Sequence, residues 1–100
     1  MLVTIVRGGG LAGFVRRTEL DSAVLPADAA AVLRELVARL PTDPPAPVAA
    51  APDELRYELI LDDDGVTIVL RPTEQTLSES ERLLIAFVDG RDERVDSVVP

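Results

Sequence analysis

The sequence predicts an α+β domain of order ββαββα, with a four-stranded, mainly antiparallel sheet and two helices packed on one face. Three observations lead there. Two pairs of β-rich segments are each joined by a short glycine-containing stretch. Each pair is followed by a segment of helical period. A proline-rich stretch separates the two halves, which share no sequence repeat. The 100 residues suit one domain, and a hydrophobic share of 47% is enough to build a core. Phe14, Tyr57 and Phe87 are the only aromatics, so that core must be made mainly of Leu, Val and Ala. Residues 1–90 form the domain, with a connector at 41–52, and residues 91–100 form a C-terminal tail.

Leu2 to Arg7 is rich in β-branched residues and reads as the first strand. Gly8-Gly9-Gly10-Leu11-Ala12-Gly13 follows. Phe14 to Leu20 is the second strand, with Phe14, Thr18 and Leu20 on one face, where Arg16 interrupts them. The two strands and the loop make a hairpin with a long tip. Pro26 to Leu40 has helical spacing, with Leu33, Leu36, Val37 and Leu40 on one side. Pro26 suits the first helical position and Asp28 the first turn, where negative charge is favoured. Pro41, Pro44, Pro45, Pro47 and Pro52 exclude regular helix or central strand from 41–52. That stretch reads as a stiff connector rather than a polyproline ligand.

Leu55 to Leu61 alternates, with Leu55, Tyr57, Leu59 and Leu61 pointing inward. Asp62-Asp63-Asp64-Gly65 is a turn, and Asp-Gly is a strong hairpin signal. Val66 to Arg71 alternates again, with Val66, Ile68 and Leu70 inward. Thr76-Leu77-Ser78-Glu79 fits a capping box. The helix behind it uses Leu77, Leu83, Leu84, Phe87 and Val88, and Gly90 stops it. The tail reads as frayed, although Val95, Val98 and Val99 have the character of an edge strand.

Composition narrows the chemistry. The chain has no Cys and no His, so disulfides, Ser–His and Cys–His nucleophile systems and ordinary zinc sites are excluded. A net charge of −8 opposes nucleic acid and anionic membrane surfaces. No basic region precedes the short apolar run at the N-terminus, and no stretch approaches a transmembrane length, so a cytoplasmic location is expected.

Gly8, Gly10 and Gly13 satisfy G-x-G-x-x-G, yet a dinucleotide site needs that loop to open a helix. Here a strand follows, and the nucleotide reading falls. The glycines instead permit close backbone approach to another surface. Leu11 then stands at the tip between small residues. Asp62-Asp63-Asp64 lacks the twelve-residue ligand pattern of an EF-hand and reads as a solvated turn. Arg16 and Arg17 are adjacent, so they face opposite sides of a strand and pair with carboxylates rather than clamp a phosphate. Glu19, Glu58, Glu79 and Glu81 show no spacing that would converge them into an acid/base pair. Binding, not catalysis, is the expected activity, and no cofactor is called for.

Several short motifs occur in a telling order. A first strand leads into Gly9-Gly10-Leu11-Ala12-Gly13-Phe14, then Arg17-Thr18-Glu19-Leu20-Asp21, then Leu25-Pro26 opening a helix. Pro52-Asp53 precedes Tyr57-Glu58-Leu59, and Asp64-Gly65 closes the second hairpin. This order resembles the emfourin family over Met1 to Val88. The family comprises small protein inhibitors of protealysin and related thermolysin-like metalloproteases. The resemblance implies a bacterial, cytoplasmic, non-enzymatic protein that binds tightly over the active-site cleft of an intracellular protealysin-like enzyme. The zinc would belong to the protease.

On that resemblance the partner-binding residues are Gly9, Gly10, Leu11, Ala12, Gly13 and Phe14, with Leu11 entering the pocket that thermolysin-like enzymes fill with large aliphatic residues. The Pro-rich segment and the Asp62–Gly65 turn stand as candidates for a second surface, either beside the loop or at the opposite end. The competing reading is a non-catalytic interaction module or a small oligomerising regulatory subunit using a sheet edge.

Overall fold

The computed structural model describes residues 1–9, 15–41 and 54–99. Strands β1 (Leu2–Gly9) and β2 (Val15–Asp21) form the first hairpin. A single 3-10 turn, Ser22–Val24, leads to helix α1 (Ala27–Ala38). Strands β3 (Leu55–Asp63) and β4 (Val66–Leu70) form the second hairpin, followed by helix α2 (Glu79–Asp89) and strand β5 (Val95–Val99). The strand order is β4-β3-β1-β2-β5, and every neighbouring pair is antiparallel.

The sheet therefore has five strands, not four. The additional strand lies in the stretch expected to fray. Residues 95–99 pair with the outer edge of β2 from Val15↔Val99 to Glu19↔Val95. Their β-branched valines suit an extended backbone, and the pairing covers an edge that β2 would otherwise leave open. Polar contacts fix the register. The Thr18 hydroxyl lies 2.7 Å from Asp96 Oδ1, and Arg16 and Arg94 approach the same carboxylate at 3.3 and 3.0 Å.

The core lies between one face of the sheet and both helices. Val3, Ile5, Leu20, Leu59, Leu61 and Leu70 share that face, and they cluster with Ala29, Ala30 and Leu33 of α1 and Leu84, Ile85 and Val88 of α2. The two helices lie on this face, as the pattern predicts. Leu33 and Leu40 are buried and Leu36 and Val37 half-buried, as expected; Ala29 and Ala30 join them. Pro26 sits one residue outside α1, at its N-cap.

Four apolar residues depart from the predicted inner faces. Val66 and Ile68 are exposed because β4 is the sheet's outer strand and its start projects toward the hairpin tip, away from the buried end at Leu70. Leu55 is exposed at the first position of β3, and Leu83 faces solvent on α2, where Ile85 is buried instead.

The capping box is also displaced by two residues. Ser78 is the N-cap: its hydroxyl accepts the Glu81 amide, while Glu81 accepts the Ser78 amide. Thr76 serves the preceding turn instead, where its hydroxyl accepts the Thr73 amide at 2.8 Å. Helix α2 then carries the chain from the β4 edge of the sheet to β5 at the other edge.

Candidate functional site

The two hairpins point to opposite ends of the sheet. Leu2 pairs with Asp62 at one end and Gly9 with Leu55 at the other. The Asp62–Gly65 turn consequently lies at the opposite end of the sheet from Gly9. Asp64 and Gly65 have φ of 51° and 80°, as the two-residue turn requires.

Of the predicted loop residues, Gly9 is described; Gly10, Leu11, Ala12, Gly13 and Phe14 lie outside the described residues, as does the connector beyond Pro41. Both stems of the loop are nonetheless fixed. The β1–β2 register runs from Leu2↔Asp21 to Arg7↔Arg16, so the loop joins adjacent antiparallel strands. Val15 opens a strand and not a helix. Among the described residues, the segment that follows the loop therefore presents no helix N-terminus of the kind a pyrophosphate site uses.

Gly9 is the pivot of the loop. Its φ is +100°, and a Cβ added there would stand 2.7 Å from the Glu54 carbonyl oxygen. Glycine is thus required twice over, by backbone conformation and by space. Glu54 is itself buried, and its carboxylate accepts the Gln75 amide at 2.9 Å.

The turn containing Gln75 is held to β3 on its other side. The Tyr57 amide donates to the Pro72 carbonyl at 2.9 Å, the Glu74 amide donates to the Leu55 carbonyl at 3.0 Å, and Arg56 bridges to Thr73. Within the turn, Thr76 N–H donates to the Thr73 carbonyl at 3.1 Å. Three backbone segments therefore run side by side here: Gly8–Gly9, Leu55–Tyr57 and Pro72–Glu74. Sequence reading missed this bracing. The Thr73-x-x-Thr76 spacing carries the signal of a hydroxyl-stabilised turn.

A polar network anchors the same hairpin to the helical layer. Arg7, on the core face of β1, donates to both carboxylate oxygens of Asp89 at 3.0 and 2.7 Å. The Asp89 hydrogen bond raises the Arg7 pKa against the opposing effect of desolvation. One cost remains: Arg7 Nε is buried without a partner among the described residues. Asp96 is held below the usual aspartate range, first by the Thr18 hydroxyl and then by Arg16.

The remaining candidates behave as surface and capping groups. Arg16 and Arg17 project to opposite faces and pair with Asp96 and Glu19 respectively. Glu58 pairs with Arg71, and Glu81 is occupied in the helix cap. These carboxylates do not converge. Among the described residues no group of three or more acidic side chains is placed to hold a metal ion, and no helix is long and apolar enough to cross a membrane.

A protein-family model, Emfourin, matches residues 5–89. The match starts within β1, spans both hairpins and both helices, and ends at the last residue of α2, short of β5. No curated protein and no solved structure matches the chain.

Proposed function

The chain belongs to the emfourin family, which implies a protease-inhibitor role, and from that membership we propose that it inhibits an intracellular, protealysin-like zinc metalloprotease of the thermolysin type by blocking its active-site cleft. The observation that carries the reading is the family match itself, because it includes the whole glycine loop between β1 and β2.

Physical chemistry supports the loop as the inhibitory element. Its stem is set by two strand pairings and by the Gly9 pivot, so docking orders less chain than a free peptide would. In this reading Leu11 enters the enzyme's hydrophobic pocket. Gly9, Gly10, Ala12, Gly13 and Phe14 lie along the cleft, where the small residues let the backbone come close. The protease contributes the zinc; the inhibitor contributes shape and one apolar anchor. Burying a leucine there contributes about 1.5–3 kcal/mol.

The test is a titration of a protealysin-like protease with this protein, followed with a peptide substrate. Stoichiometric inhibition is expected, and Leu11→Asp should weaken it by about tenfold or more, as loss of the anchor requires. Undiminished inhibition by a folded Leu11→Asp protein would remove loop insertion as the mechanism. If the wild type does not inhibit at micromolar concentration, the interaction-module reading replaces this one.

A further inference from the structure

We infer that the turn Thr73–Thr76 is a second contact surface for the same protease, forming one composite edge with Leu55 and Gly9, the stem of the glycine loop. The inference rests on the inhibitor reading above and extends it to residues outside the loop.

Interface size supplies the first argument. A stable protein–protein interface engages about 20–30 residues a side. The loop Gly9–Phe14 holds six. Flanking surface must contribute, and it must lie at the same end of the sheet. The β3–β4 tip does not qualify, because the nine residues of β3 place it roughly 30 Å away. The Thr73–Thr76 turn does qualify. It is separated from Gly9 by β3 alone, a distance of two strand spacings or about 10 Å.

Preorganisation supplies the second argument. The turn is pinned to β3 by the Tyr57–Pro72 and Glu74–Leu55 backbone hydrogen bonds, and to Glu54 through the Gln75 amide. Immediately behind it, Ser78 and Glu81 close the cap of α2. Little chain entropy remains to be lost on docking. Glu54 also connects the two surfaces directly: its carbonyl dictates that residue 9 be glycine, while its carboxylate holds the turn.

Surface chemistry fits as well. Leu55, between loop and turn, is 38% exposed although apolar. Glu74, Gln75 and Thr76 beyond it are exposed and polar. An apolar centre with a polar rim is the usual anatomy of a protein interface.

The experiment compares inhibition constants for the wild type, Glu74→Trp, Gln75→Trp and a control, Asp63→Trp, at the opposite hairpin tip. Circular dichroism and thermal melting establish that each is folded, and two turn variants ensure that one misfolded protein does not decide the matter. Bulk added within an interface obstructs docking, so each folded turn variant should inhibit at least tenfold more weakly than the wild type and the control. Equal inhibition by all four proteins would overturn the composite edge and leave the inhibitor reading intact. A wild type that fails to inhibit would overturn that reading, and the composite edge with it.

Discussion

The two hairpins are built into the same sheet, yet their tips obey different constraints. At the β3–β4 tip, Asp64 and Gly65 adopt positive φ and a Cβ on Gly65 would meet nothing within 4 Å. That glycine answers only to the geometry of its own turn. At the β1–β2 tip, Gly9 also has positive φ, but its missing Cβ makes room for the backbone of Glu54. Here the demand comes from another part of the chain. The first hairpin is further tied to α2 through Arg7–Asp89 and to β5 through Thr18–Asp96, whereas the second tip projects exposed side chains. A distant part of the chain thus requires the glycine at the end proposed for partner binding, whereas the glycine at the opposite end serves its own turn.

The largest test of this contrast is Gly9→Ala. Left-handed strain together with the 2.7 Å approach to Glu54 should cost about 2–3 kcal/mol in chemical denaturation and weaken inhibition at the same time. An Asp89→Ala substitution comes next. It leaves the Arg7 guanidinium, with a side chain only 16% exposed, without its bidentate partner, and should cost about 2 kcal/mol. Gly65→Ala should cost only about 1 kcal/mol, from backbone conformation alone, and leave inhibition unchanged. If Gly65→Ala proves as damaging as Gly9→Ala, the two tips are not different in kind.

The smallest expected effect is pH-dependent. Asp96 has a lowered folded-state pKa, chiefly because the Thr18 hydroxyl donates to its carboxylate. Such a group stabilises the fold above its unfolded pKa, and that stabilisation is lost as pH falls through the lowered value. The loss should therefore appear below pH 3.8. Comparing melting temperatures of wild type and Asp96→Asn across this range checks the sign: the difference should shrink as the solution is acidified. A difference that grows toward low pH would contradict the assignment.

Much of the fold was legible because local chemistry and the final structure agree. Asp64-Gly65 asked for a two-residue hairpin and formed one. Leu33, Leu84 and Val88 announced the inner helix faces through their spacing. What stayed hidden depended on distant partners. Val95 and Val99 belong to a strand only because the outer edge of β2 is available. Thr76 and Ser78 are both good caps by type; in the fold Ser78 caps α2 while Thr76 bonds to Thr73 in the preceding turn. For the candidate site, sequence singled out the glycines as a group. It did not distinguish Gly9 as the pivot, because the atom that requires it, the Glu54 carbonyl oxygen, is 45 positions away along the chain. Glu54 and Gln75 were missed for the same reason.

Strand β5 has a consequence for how the molecule opens. Among the described residues it pairs on one side only, and its Val95 and Val98 are 66% and 62% exposed, outside the buried cluster. Central β1, by contrast, carries Val3 and Ile5 with no exposure and is paired on both sides. Amide hydrogen exchange should therefore separate the sheet into two cooperative units. The β5 amides should exchange through local detachment from β2, while those of Val3 and Ile5 wait for global unfolding. On this expectation the sheet's last strand leaves and returns while the core stays closed.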